Sequence, residues 1–157
     1  MKVQFNNLHA QYLSIKQEID QVINDVIERS LFIRGPYVEN FERDFAALIG
    51  QKHCISCANG TDSLYIAMRS LKIKPGDEVV CPAHSWISTS ETISQAGALI
   101  RFCDTDINTF TIDPQRLEQL ITKRTVGIVP VHLFGQPADM HPIMDIAKNY
   151  NLWVIED

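Results

Sequence analysis

From residue 51 onward, short apolar runs alternate with longer amphipathic ones, and few folds accommodate that order. The runs "HCISC" (53–57), "DEVVCP" (77–82), "ALIRFC" (98–103), "TVGIVPV" (125–131) and "LWVIED" (152–157) have the length and apolar content of strands. Between them lie "NGTDSLYIAMRSL", "SWISTSETISQAG", "PQRLEQLI" opened by Pro114, and "MHPIMDIAKNY", each read as a helix. Strands that alternate with helices of roughly 8–12 residues make βαβ units. The expectation is an α/β fold with a mainly parallel sheet and right-handed crossovers.

Residues 1–50 read differently. Tyr12, Ile15, Ile19, Val22, Ile23, Val26 and Ile27 recur at helical spacing among polar residues, predicting one amphipathic helix that Gly35 and Pro36 end. Val38, Phe41, Phe45, Leu48 and Ile49 predict a second, shorter helix closed at Gly50. The predicted organisation is therefore helical segments over 1–50 and an α/β unit over 51–157.

Charge and length exclude some functions. A net charge of −5 argues against nucleic acid as the main partner, because such binders present a basic face. Small anions stay open, since helix N-termini bind phosphate whatever the net charge. No apolar run approaches the ~18 residues of a membrane span, and "MKVQFNNLHA" lacks a secretory h-region, so a cytoplasmic location is expected. Cys54 and Cys57 have C-x-x-C spacing, yet on a strand they would point to opposite faces. With Cys81 and Cys103 they are expected to be buried, reduced and structural.

In open α/β sheets ligands gather at the carboxyl ends of the strands. Four stretches occupy such ends: Ala58–Asp62, Ala83–Trp86, His132–Gly135 and Glu156–Asp157. In "ANGTD", Gly60 permits a positive φ and close backbone approach, and Thr61 adds a hydroxyl. The N–H groups that follow open a helix N-terminus able to hold an anion, with the Asp62 side chain turned away and its N–H contributing. The plainer alternative is a helix capped by Asn59 or Thr61. Trp86 is either a platform for a flat ligand or a core residue, whereas Trp153, inside a strand, is core. Asp157 follows an apolar run as a Walker-B acid does, but the chain lacks G-x-x-x-x-G-K-[ST], and it lacks G-x-G-x-x-G as well. A buried acid also serves to keep a pyridine nitrogen protonated, as in pyridoxal phosphate (PLP) enzymes. A phosphate loop, an aromatic platform and an acid together describe a PLP pocket.

That combination resembles the sugar-nucleotide aminotransferases of the DegT/DnrJ type, within the fold-type I PLP enzymes. The likeness is carried by "LFIRGPYVENFE", "ANGTDSLYIAMRSLKIKPGDEVVCP", "SWISTSETISQAGA", "RFCDTDINTFTIDP", "ITKRTVGIVPVHLFGQPADM" and "LWVIED", and runs from near the N-terminus to the last residue. It implies that 51–157 is the first part of the large PLP-binding domain, with the C-terminal domain absent. By the same resemblance, Gly60, Thr61 and Asp62 hold the cofactor phosphate, Trp86 stacks on the pyridine ring and Asp157 pairs with the ring nitrogen. Gly35 is the candidate on the sugar-nucleotide side. His132 stands in the family's "PVH" segment, where a hydrogen-bonded histidine at a strand end is an equally good account.

The resemblance further implies transfer of an amino group from an amino acid, glutamate first, to a nucleotide-linked keto-deoxysugar such as a dTDP-3-keto-6-deoxyhexose, by a homodimer. In the family the Schiff-base lysine comes later than Asp157. Lys2, Lys16, Lys52, Lys72, Lys74, Lys123 and Lys148 are all expected to be solvated surface charges. Two alternatives remain: a dehydratase-like relative with histidine in place of that lysine, and a non-catalytic remnant or binding fragment. No metal site is expected.

Overall fold

The computed structural model describes residues 5–157, so Lys2 lies outside the described residues. The chain divides into two compact units, Met1–Ser56 and Cys57–Asp157.

The first unit carries α1 (Leu8–Ser14), α2 (Lys16–Glu28) and α3 (Pro36–Leu48). The single helix expected over residues 12–27 is thus two. Ser14 Oγ donates back to the Gln11 carbonyl at 2.7 Å, a bond that competes with helix propagation, and Ile15 leaves the helical region at φ −123°. Asn7 caps α1 by accepting from the Ala10 N–H at 3.0 Å. α3 begins at Pro36, whose missing N–H costs nothing at a first helical position. It ends as expected at Gly50, where φ is +66°. The Gly50 N–H reaches the Ala47 carbonyl at 3.2 Å and the Gln51 N–H reaches Ala46 at 2.9 Å, the paired bonds of a Schellman cap.

The second unit is a parallel sheet between two layers of helices. Its order is α4 (Gly60–Ser70), β1 (Glu78–Pro82), α5 (Ile87–Gln95), β2 (Leu99–Cys103), α6 (Pro114–Gln119), β3 (Thr125–Ile128), α7 (Met140–Tyr150) and β4 (Trp153–Val154). All pairings are parallel, in the order β2-β1-β3-β4. Strand alternation distributes the core. Val79, Cys81 and Val129 pack with Leu64 and Met68 of α4 and Ile93 of α5. Val80, Cys103 and Ile128 pack on the other face with Leu117 of α6 and Ile143, Ile146 and Ala147 of α7. β1 is buried along its whole length, which explains its continuous apolar run.

"HCISC" is not a strand; the sheet is built without it. A strand needs a neighbouring ladder as well as an apolar run, and none of β1, β2, β3 and β4 pairs with this segment. Cys54 and Cys57 are consequently half-buried on irregular chain, not buried on a strand. Cys81 and Cys103 are fully buried, on opposite faces of the sheet. Burial pushes the Cys81 thiol up to about 12 and the Cys103 thiol up to about 11, which keeps both inert at neutral pH.

The topology selects one edge of the sheet. After β1 the chain turns toward β2, and after β3 it turns toward β4. The carboxyl ends of the adjacent β1 and β3 therefore flank the switch point, where open α/β sheets form their crevice.

Candidate functional site

Two loops and one tail meet at this edge. The tail extends β4 past its last paired residue. Ile155 N–H donates to the Ile128 carbonyl at 3.1 Å and Asp157 N–H to Pro130 at 3.0 Å. His132 N–H in turn donates to the Asp157 carbonyl at 2.8 Å. The backbone of Asp157 is thereby tied to the segment leaving β3, while its side chain is exposed. The carboxylate lies at the carboxyl end of the sheet, beside the segment that leaves β3.

One carboxylate oxygen has a partner. Thr89, on the first turns of α5 and 1% exposed, lies with Oγ1 2.5 Å from Asp157 Oδ2. Among the described residues no donor reaches Oδ1. His132 has both ring nitrogens bonded. Nδ1 accepts from the Ala138 N–H at 3.0 Å, so the ring proton is on Nε2, which donates to Glu156 Oε2 at 2.9 Å. The histidine acts here as a neutral clamp between the loop after β3 and the tail after β4.

The N-terminus of α4 forms the next part. Asn59 is the cap: its Oδ1 accepts from the Asp62 N–H at 2.9 Å, and its Nδ2 donates to Asp62 Oδ2 at 3.0 Å. The Asp62 side chain does turn back, but its N–H is taken by the cap and is not free for an anion as expected. Gly60 has no positive φ, so the conformational reason for a glycine does not hold there. A Cβ at Gly60 would meet nothing within 4 Å, so the space over the helix start is open. Thr61 Oγ1 lies 2.7 Å from Ser88 Oγ on α5.

Trp86 is the N-cap residue of α5 and is 76% exposed, outside both core clusters of residues 57–157. Trp153 is half-buried against the α4–α5 face of the sheet, as expected of a core residue. Gly35 belongs to the Met1–Ser56 unit, where it is the N-cap of α3 at φ +102°. The six described lysines are all exposed.

Sequence reasoning missed the hydroxyls of α5. Ser88, Thr89 and Thr92 are buried and, with Ser85, recur at helical spacing, where an apolar stripe would normally face a core. A polar stripe on a helix that must pack against a sheet was the available signal. Its members hold two parts of the site: Ser88 meets Thr61 at the α4 start, and Thr89 meets Asp157 at the end of the sheet.

A separate cleft of about 540 Å³ opens between the 106–115 and 136–142 segments. Two of its acids are engaged locally. Asp106 accepts from the Asn108 and Thr109 N–H groups, which hold its carboxyl below the usual range, and Asp113 caps α6.

The sequence profile of the DegT/DnrJ/EryC1/StrS aminotransferase family matches residues 13–157. The chain belongs to this family. Among its relatives is the UDP-2-acetamido-2-deoxy-3-oxo-D-glucuronate aminotransferase of Pseudomonas aeruginosa, 44% identical over 99% of this chain and 43% of that protein. S. venezuelae DesV, solved in complex with a ketimine intermediate, is similar in structure with a TM-score of 0.96 and 36% identity, over 99% of this chain and 42% of that one. The E. coli GDP-4-keto-6-deoxy-D-mannose-3-dehydratase, solved with bound hydrated PLP, is similar at a TM-score of 0.82 and 31% identity, over 87% of this chain and 37% of that one. The chain thus spans less than half the length of these relatives. No helix among the described residues is long and apolar enough to cross a membrane.

Proposed function

We propose that the intact protein is a PLP-dependent aminotransferase that moves an amino group from an amino acid, glutamate first, onto a nucleotide-linked keto-deoxysugar. The reading is carried by one observation: the first turns of α5 hold a strand-end carboxylate through Thr89 and the start of α4 through Ser88, with the exposed Trp86 ring between them in sequence. Those are the acid, anion-binding and platform elements that a pyridine cofactor with a phosphate requires. The residues present fit the group. Asp157 offers Oδ1 to a ring nitrogen, the N–H groups of Gly60 and Thr61 at the helix start suit a phosphate, and Trp86 offers an uncovered face.

When bound, PLP supplies an electron sink for carbon–hydrogen bond cleavage next to the transferred nitrogen. The chain's own residues orient and charge that group. Asp157 would keep a proton on the ring nitrogen, and the helix start would offset part of the phosphate charge. Thr61, its hydroxyl already paired with Ser88, is fixed in orientation before any ligand arrives. The lysine that anchors the cofactor and carries the proton transfer belongs, in this reading, to the part of the protein outside residues 1–157. A homodimer working in the cytoplasm, with a dTDP-3-keto-6-deoxyhexose as the first substrate to try, completes the proposal. Gly35, at the α3 start, is the substrate-side candidate.

A second reading has one specific support, the structural similarity to a PLP-containing 3-dehydratase. There, a histidine would stand where the transaminase has its lysine. A mass measurement on the product of the intact gene separates the two. After incubation with PLP and borohydride, a gain of one reduced pyridoxyl group on a lysine is expected. PLP binding without that gain favours the dehydratase reading, and no PLP binding overturns both.

A further inference from the structure

Thr92 and Thr89 are both buried on α5, and they use their hydroxyls differently. Thr92 Oγ1 donates to the Ser88 carbonyl of its own helix at 2.8 Å, the ordinary habit of a helical threonine. Thr89 instead crosses to residue 157, 68 positions along the chain. An ionised carboxylate only accepts, so the Thr89 hydroxyl donates to Asp157. Its one proton is then engaged, and the 3.1 Å contact between Ser85 Oγ and Thr89 Oγ1 is donated by Ser85. Ser85, Thr89 and Asp157 form a directed chain in which each bond polarises the next.

The chain matters because of where Asp157 sits. β4 has only two paired residues, and the tail beyond it is fixed through its backbone at Pro130 and His132. Those bonds leave the Asp157 side-chain torsions free. Thr89, anchored in a buried helix, is the one described group that fixes them. We infer that Thr89 is a positioning residue for the cofactor-facing acid: it holds Oδ2 so that Oδ1 is presented to a pyridine nitrogen. This rests on the PLP reading above.

The test uses the intact gene product, PLP labelled with ¹⁵N in the ring, and the variants Thr89→Val, which keeps the shape and removes the donor, and Thr89→Ser, which keeps the donor. PLP affinity and the ring ¹⁵N resonance are both measured. Thr89→Val is expected to weaken PLP binding about 10-fold, the scale of a hydrogen bond to a charged group, and to move the resonance toward unprotonated pyridine. Thr89→Ser is expected to restore both. In an Asp157→Asn background, Thr89→Val should add nothing, because the interaction it removes is already gone. Wild-type affinity and resonance in Thr89→Val, even with lowered stability, would reduce Thr89 to a core residue. Failure of the wild-type protein itself to bind PLP would instead sink the cofactor reading, and this inference with it.

Discussion

At Gly127 the sheet leaves no room for a side chain. Gly127 of β3 is the register partner of Trp153 of β4, and a Cβ built on it would run into the Trp153 indole. A glycine inside a strand usually marks a close approach of this kind. Gly127→Ala must push the indole out of its place on the α4–α5 face, and β4 is too short to absorb the shift elsewhere. The expected cost is about 1–3 kcal/mol, on the scale of core overpacking. In thermal denaturation this should lower Tm by roughly 2–4 °C per kcal/mol. Adding Trp153→Leu should recover part of the loss, and a strictly additive double variant would show that the two do not meet.

The helix starts divide into those the sequence announces and those it does not. Pro36 and Pro114 mark α3 and α6 outright, because proline is tolerated where no N–H is needed. At α4 the choice between Asn59 and Thr61 as cap was undecided in the sequence, since either side chain can accept an N–H. The packing of α5 decides it by drawing Thr61 to Ser88 and leaving Asn59 to accept from Asp62. Asn59→Ala is therefore expected to cost about 1 kcal/mol, while Thr61→Ala should leave the cap intact. Amide hydrogen exchange at Asp62 would report this: protection lost in the first variant and kept in the second. The break between α1 and α2 was not visible, because apolar spacing continues through Ile15 while the Ser14 back-bond interrupts the helix.

Across the whole second unit, a single buried carboxylate ties the head of β1 to the segment entering β3 and to the middle of β2. Glu78, 1% exposed at the head of β1, accepts from Thr122 Oγ1 at 2.6 Å and from Arg124 at 2.5 Å before β3, with Arg101 of β2 at 4.0 Å. The Thr122 hydrogen bond, followed by the Arg124 and Arg101 charges, outweighs burial and holds the Glu78 carboxyl below its ordinary 4.5. A lowered folded value means that the unfolded chain takes up the proton first. The stabilisation is full above about pH 4.5 and is lost as pH falls through the lower folded value. Glu78→Gln should cost about 1.5–3 kcal/mol at pH 7, and its urea-unfolding stability should decline less steeply below pH 4.5 than that of the parent. Glu42 and Asp106, held down by backbone N–H groups, keep some acid sensitivity in the variant.

Local chemistry determined much from the sequence alone. Short apolar runs and the 3.6 period placed four strands and the main helices, the strand-end rule singled out Asp157 and Trp86, and Gly50 marked its own cap. These are properties of neighbouring residues, and neighbours in sequence suffice to reveal them. Tertiary structure alone decided the rest. "HCISC" has the length and apolar content of a strand but does not join the four described strands, Gly60 carries no strained φ, and the Asp62 N–H is already taken. Thr89 reaches Asp157 only because α5 packs on the sheet beside β4's tail. A hydrogen bond between residues 68 apart depends on two elements meeting in space, and no local period encodes that meeting.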